Sequence, residues 1–308
     1  EESWNRYDNL PYNQAPTKGS LTSKEEWLNG GQNPITNYSY DFYGNLINET
    51  NARGYSTQYI YGIRETTSTF PDKIINAQGH IINYYYDLGT GNLLSEIDLN
   101  GFVTNYSYDV FGRIGKEIDP YDSETYPTIS YTYELDGISP EKIKISYREE
   151  NGTQNTLDTY SFYDGFGNII QQKKDAENSK QTIIDIFYDP LKRTIRQSNP
   201  YFSSTSSNYS LPNQSVSKTN YTYDLLSRVI QIINPDNIKE NVSFNRGKIT
   251  HYDEKNNKKI YYSDAYNQII KVIEYNGNNY FITYYSYDVN GNIIQVNDSL
   301  GNKLNYTY

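Results

Sequence analysis

The chain has 308 residues, of which 36% are apolar, with no cysteine and a formal net charge of -10. That charge argues against nucleic acid as a partner, because binding phosphate needs a basic face. The absent thiols exclude disulfides, a cysteine nucleophile and zinc–thiolate sites, and no apolar run approaches the ~18 residues of a membrane span. A mean hydropathy of -0.83 would suggest disorder were aliphatic side chains the only source of burial. The chain instead carries 36 tyrosines and 10 phenylalanines, and tyrosine buries a large ring while keeping its hydroxyl at a wet edge. Rich in aromatics, Asn, Thr and Ile and lacking helical periods, it is predicted to be all-β.

Residues 1–36 are expected to form a segment without repeats that covers the first edge of a sheet. Within it Thr17–Thr22 reads as an edge strand, and Ser23-Lys24-Glu25-Glu26 as either a helix-opening capping box or a polar loop. From Asn37 to Tyr308 one pattern recurs. Tyr106 to Ile114 reads YSYDVFGRI; Tyr38 to Leu46, Tyr285 to Ile293 and Tyr221 to Val229 are near copies, and looser ones start at Asp164, Asp189 and Asp264. Between them lies a second signal, Asx-x-x-Gly, at Asn51, Asn76, Asp98 and Asp298. In both, Asx at the first turn position bonds the backbone two residues on, and Gly at the fourth takes the positive φ that closes a type I turn with a bulge. The predicted turn formers are Asp41 with Gly44, Asp87 with Gly91, Asp98 with Gly101, Asp109 with Gly112, Asp288 with Gly291 and Asp298 with Gly301.

Turns 10 or 11 residues apart leave strands of six or seven, roughly 20 Å each. Strands joined by tight turns are antiparallel neighbours, so the expected fold is a long antiparallel hairpin meander that twists or spirals. Period-two alternation puts Tyr38, Tyr40, Tyr84, Tyr86, Tyr106, Tyr108, Tyr221, Tyr223, Tyr285 and Tyr287 on one face as an aromatic ladder, against a small, polar opposite face. Excursions from the array are expected near 113–163, where only Tyr131-Thr132-Tyr133-Glu134 keeps the signal, and near 199–219. Around 253–264, Tyr252-Asp253 and Ser263-Asp264 compete for the turn. The sequence opens on Glu1 and ends where a further Asp is due, and so reads as an excised or processed segment.

The alternation of Y-x-Y-D-x-x-G-[NR]-[LI] with D-x-x-G over residues 37–308 resembles the RHS/YD-repeat family. The resemblance implies a spiralling β-sheet of the kind that forms hollow shells around toxin cargo in bacterial secreted toxins, with a related extracellular barrel in teneurins. The family's C-terminal Arg/Tyr/Pro-rich core motif, with its self-cleaving aspartyl pair, has no match here. Autoproteolysis and cargo release are therefore not carried over.

Candidate chemistry is sparse. His80 and His251 are 171 positions apart with no ligand-spaced partners, and the recurring acids look like turn formers, not a general acid/base pair. A weak Ca²⁺ site at a turn is conceivable, but neither EF-hand nor glycine-rich nonapeptide spacing supports it. Gly89 and Gly91 lie in a hairpin turn, not in a phosphate loop before a helix. No catalytic, cofactor-binding or metal residue is assigned. Asn-x-Ser/Thr sequons at Asn37, Asn48, Asn105, Asn151, Asn208, Asn213, Asn220, Asn241, Asn297 and Asn305 are candidate glycosylation sites or by-products of the repeat. The expected function is a non-catalytic, secreted or cell-surface structural segment, an RHS/YD β-scaffold or shell wall. The alternatives are a fibre subunit that pairs with copies of itself through end strands, and an adhesin that binds glycans on its aromatic face.

Overall fold

In the computed structural model residues 3–12, 14–28, 30–64 and 67–308 are described. They form twenty-six strands and no helix, an antiparallel hairpin meander as the turn spacing requires. The backbone divides into two compact units, Glu1–Thr132 with Ile145–Leu157, and Tyr133–Lys144 with Asp158–Tyr308.

The first unit holds β1 (Ser3–Tyr7), β2 (Leu21–Glu26), β3 (Ile35–Tyr40), β4 (Leu46–Thr50), β5 (Ser56–Tyr61), β6 (Pro71–Ile75), β7 (Ile81–Tyr86), β8 (Leu93–Ile97), β9 (Val103–Tyr108) and β10 (Ile114–Ile118). Each pairs with the next in sequence. The unit boundary crosses β11 (Ile129–Glu134), β12 (Glu141–Arg148) and β13 (Thr156–Tyr163), so most of 113–163 is strand.

Ser23-Lys24-Glu25-Glu26 opens no helix. These residues lie in β2, where Ser23 faces Arg6 on one side and Asn37 on the other. A ladder on both edges satisfies more backbone groups than a single capping side chain can. Residues 1–36 also contain a hairpin with one mark of the later ones: Tyr7-Asp8 ends β1 and the register slips at Arg6/Tyr7 as it does before the later turns, although a long loop leads to β2.

The second unit continues with β14 (Ile169–Ala176), β15 (Lys180–Tyr188), β16 (Thr194–Ser198), β17 (Tyr201–Ser204), β18 (Lys218–Tyr223), β19 (Val229–Ile233), β20 (Lys239–Asn245), β21 (Lys248–Tyr252), β22 (Lys258–Ser263), β23 (Ile269–Asn276), β24 (Asn279–Tyr287), β25 (Ile293–Asn297) and β26 (Lys303–Asn305). The meander is interrupted once. The C-terminal part of β15 pairs with β16, its N-terminal part pairs with β17, and β16 pairs with β18. The stretch 199–219 is therefore one short strand and a long strap, 205–217. Both competing signals near 253–264 prove to be turns: Asp253 closes β21 to β22 and Asp264 closes β22 to β23.

One irregularity recurs at the Tyr-Asp hairpins. The strand leaving the turn carries one extra residue opposite the tyrosine, as at Ser39/Tyr40, Tyr85/Tyr86, Thr222/Tyr223 and Ser286/Tyr287, though not at Tyr252, which pairs in register with Lys258. The hairpins on the opposite edge keep unbroken register, as in Thr50 against Ser56 or Ile97 against Val103. A bulge raises local twist and takes one residue out of the ladder.

Candidate functional site

The Asx turns share one geometry. In Asp109-Val110-Phe111-Gly112, Asp109 Oδ1 accepts the N–H of Phe111 (2.9 Å) and of Arg113 (3.0 Å), while Oδ2 accepts Arg113 Nε at 2.7 Å. The backbone closes with Gly112 N–H on the Asp109 carbonyl and Asp109 N–H on that of Arg113. Asp41, Asp98, Asp288 and Asp298 repeat it, their second oxygen taking the amide of Asn45, Asn100, Asn292 or Asn302. Desolvation would raise the carboxyls of Asp41, Asp98 and Asp109, but these donors outweigh it and hold them below the usual carboxylate range. Gly44, Gly101, Gly112, Gly291 and Gly301 all have positive φ. Asp87 heads the lengthened turn, where Thr90 supplies both N–H and hydroxyl at 2.8 Å. Its Gly91 has φ +76, and an added Cβ would stand 2.8 Å from Phe70 Cζ. The Asp189 and Asp224 turns place Lys192 (φ 63) and Ser227 (φ 61) where glycine is expected. Asp8 closes its hairpin differently: its carboxylate accepts four consecutive backbone N–H groups, Thr17 to Ser20, which hold it far below the usual range.

The ten ladder tyrosines are half-buried. In the first unit Tyr38 faces Glu49, Tyr84 faces Glu96 and Tyr106 faces Glu117 across the strands. Burial, then the carboxylates of Glu117 and Glu96, push the Tyr106 phenol up to about 12. In the second unit the facing residues are apolar, Ile232 for Tyr221 and Val296 for Tyr285. The tyrosine next to the turn has a second task. Its hydroxyl donates to the carbonyl of the residue just before the bulge in the preceding hairpin. Tyr108 reaches Leu93 (2.8 Å), Tyr188 reaches Ile169 (3.0 Å), Tyr223 reaches Thr194 (2.7 Å) and Tyr287 reaches Ile269 (2.7 Å). Each accepting carbonyl lies two residues beyond the last ladder pair with its next strand. The bulge leaves it without a strand partner and the phenol supplies one. Tyr40 does the same for Leu21, at 2.9 Å.

The second unit also holds a buried polar cluster that sequence pattern did not mark. Gln171 and Asp185 are wholly buried and Lys173 is 1% exposed. Asp185 accepts Gln171 Nε2 at 2.6 Å and the Tyr201 hydroxyl at 2.9 Å. The strap 205–217 is tied over them: Gln171 Nε2 donates to Ser210 O (2.8 Å), Ser210 N–H to Gln171 Oε1 (3.1 Å), and Lys173 Nζ to Asn208 O. Tyr209 meets Phe162 edge-on at 5.8 Å. Burial lowers the Lys173 ammonium pKa, against the opposing pull of Asp185. The Lys173 ammonium also lies 5.5 Å above the Phe162 ring, so its contacts with that ring and with the Asn208 carbonyl secure the strap.

Of the sequons, Asn37, Asn105, Asn151, Asn208, Asn213 and Asn305 are exposed, whereas Asn48, Asn220, Asn241 and Asn297 are half-buried. Asn241 and Asn305 accept the amides of Gln231 and Gln295 from the neighbouring strand, each at 2.8 Å. His80 shares a 3.2 Å contact with Asn76 in a turn, and His251 Nε2 lies 3.4 Å from Glu240. Among the described residues no group of three or more His, Asp or Glu is placed to hold a metal, and no helix is long and apolar enough to cross a membrane. A hollow of about 450 Å³ is lined by Asp224, Arg228, Gln231, Asn241 and Phe244, and one of about 640 Å³ lies by Asp264 and Asp288. Their carboxylates at Asp224 and Asp288 are already filled by their own turns.

No family model and no curated protein matches the chain in sequence. Solved structures share its fold. The crystal structure of TcdB2-TccC3 is 14% identical with a TM-score of 0.76, and the form without the hypervariable C-terminal region is 12% identical with a TM-score of 0.78. Each match covers 96% of this chain. The chain spans 20% and 22% of those chains, and at such identities the likeness is one of fold.

Proposed function

We propose that this chain is a non-catalytic segment of an RHS/YD-type β-scaffold, a stretch of wall in a secreted toxin-complex particle acting outside the cell. The observation that carries this reading is the hydroxyl link from the Tyr-Asp turns at Tyr40, Tyr108, Tyr188, Tyr223 and Tyr287 back to the bulge of the hairpin before each. It gives the tyrosine-aspartate pair the same structural task at five places along the array, whereas a catalytic or sugar-binding residue would be needed at one place only. The shared fold with TcdB2-TccC3 supports a scaffold of that type. Self-satisfied turn carboxylates and a lysine closed beneath a strap support a non-catalytic role.

Negative-stain microscopy of the purified chain tests the reading. Curved or closed sheet fragments are the expected result. Long unbranched filaments would replace the wall by a fibre. Monodisperse particles whose elution shifts with added sugars would replace it by an adhesin.

A further inference from the structure

The two edges of the second unit's sheet differ in what their turns expose. Along the Tyr-Asp edge the middle turn positions carry Phe166, Leu191, Leu225, Leu226, Tyr266 and Val289; Leu225 and Val289 are fully exposed and Tyr266 is 86% exposed. The opposite edge turns through Asn178-Ser179, Asp236-Asn237, Glu254-Lys255-Asn256 and Asn276-Gly277, and its one large exposed apolar turn residue is Leu300. The first unit, taken by itself, shows a weaker contrast, with Phe42, Tyr43, Val110 and Phe111 on one edge against Ala52-Arg53 and Ala77-Gln78 but also the exposed Leu99 and Tyr121 on the other. A turn needs only Asx first and a positive φ fourth, so the geometry does not ask for apolar side chains in between.

We propose that the apolar Tyr-Asp turn edge of Phe166 to Val289 is a docking surface for the same edge of a second copy of this chain. Three features select a copy as the occupant. The first is pitch. Successive turns on this edge are two strands apart, about 10 Å, so the tips are spaced to admit one side chain between neighbours. A second copy presents tips at that same spacing. The second is area. Six large side chains at these exposures offer on the order of 800 Å², the share each partner gives to a stable interface. The third is charge. Two like edges would repel if their aspartates were free, but Asp189 and Asp224 are bound by their own Arg193 and Arg228 at 2.7 and 2.6 Å. Asp164, Asp264 and Asp288 keep their charge but are turned inward onto their own turn N–H groups, with the amides of Asn168 and Asn292 on Asp164 and Asp288. The charged turn residues in the row are Arg246, in the β20–β21 turn, and Lys192, whose ammonium lies 4.4 Å over the Phe166 ring.

This association is lateral and independent of the shell-wall reading, and it differs from strand pairing at β26. Sedimentation velocity across a concentration series tests it. The expected result is a monomer–dimer equilibrium that Leu225→Lys with Leu226→Lys weakens at least ~100-fold, as loss of a central anchor does. Leu300→Lys on the opposite edge and Leu304→Pro in β26 leave the equilibrium unchanged. Matching far-UV circular dichroism and melting temperature show that the charged variant is folded, since both leucines project into solvent. A wild-type chain that stays monomeric throughout overturns the proposal. So does a dimer that survives the double lysine variant, or one abolished by Leu304→Pro.

Discussion

Replacing Asp185 by asparagine tests whether the polar cluster holds the strap. The side chain keeps its shape but loses its charge, and one acceptor oxygen becomes an NH2 group. It faces two donors, Gln171 Nε2 at 2.6 Å and the Tyr201 hydroxyl at 2.9 Å, and cannot accept from both. A hydrogen bond to a charged group contributes about 2 kcal/mol, and stripping the buried Lys173 of its nearest counter-charge adds roughly 1 kcal/mol. A loss of about 3 kcal/mol is expected in the second unit. The assay is hydrogen–deuterium exchange, followed by peptide over β14, β15 and 205–217, with limited proteolysis of the strap alongside. Faster exchange confined to these segments is the expected result. Adding Lys173→Met to Asp185→Asn should recover part of the loss, because the lysine left unpaired is then gone. Unchanged exchange in Asp185→Asn, or a double variant as damaged as the sum of the singles, would refute the account.

Ser227→Gly should stabilise the second unit by about 0.5–1 kcal/mol, since it relieves a left-handed residue at φ 61 at the expense of a looser unfolded chain; an unchanged or lowered melting temperature counts against the strain. Gly91→Ala should cost about 2–3 kcal/mol, because the strain at φ +76 is compounded by contact with the Phe70 ring, which stacks on Tyr86 at 4.8 Å. Gly101→Ala, with φ +84 but open space around it, should cost only about 1–2 kcal/mol. Both tryptophans lie in the first unit, so fluorescence melts report the pair, and equal costs would sink the packing argument. The tyrosines predict alkaline sensitivity. Tyr106 and Tyr201 are pushed up to about 12, burial first and neighbouring carboxylates next. The folded form therefore keeps phenolic protons that the unfolded chain gives up near pH ~10. Stability should be intact below that pH and fall between about 10 and 12, read as a drop in melting temperature accompanied by tyrosinate absorbance. A flat profile there would contradict the ladder's burial.

The hairpin array was legible because its information is local. Asp or Asn with a positive-φ residue three places on fixes a turn, and turns 10 or 11 residues apart fix strands and neighbours. The pattern reached further than its glycines, since the Asp189 and Asp224 turns form around Lys192 and Ser227. Tyr7-Asp8 escaped notice because thirteen residues separate β1 from β2 and the carboxylate is bound by N–H groups nine to twelve positions away. The strap escaped for a similar reason. Gln171 meets Ser210 39 positions on, and nothing in a Ser/Asn/Pro run says that it will fold back on a strand. Lys173 and Asp185 obey strand alternation like any exposed pair, and only the tertiary position of 205–217 decides that they are buried. The misread capping box has the same root: Ser-x-x-Glu is a cap when a helix follows and an ordinary strand face when ladders form on both sides.

The phenol that reaches back to the previous bulge also settles what kind of change such a chain can absorb. A single-residue deletion inside a strand moves a tyrosine to the wrong face and strands a carbonyl, whereas removal of a complete two-strand module brings the next tyrosine onto an equivalent carbonyl. Length is then a free variable in steps of one hairpin, altered by in-frame gain or loss of whole modules with every remaining joint intact. An array of this kind can be lengthened or shortened to suit what surrounds it without redesign of its core.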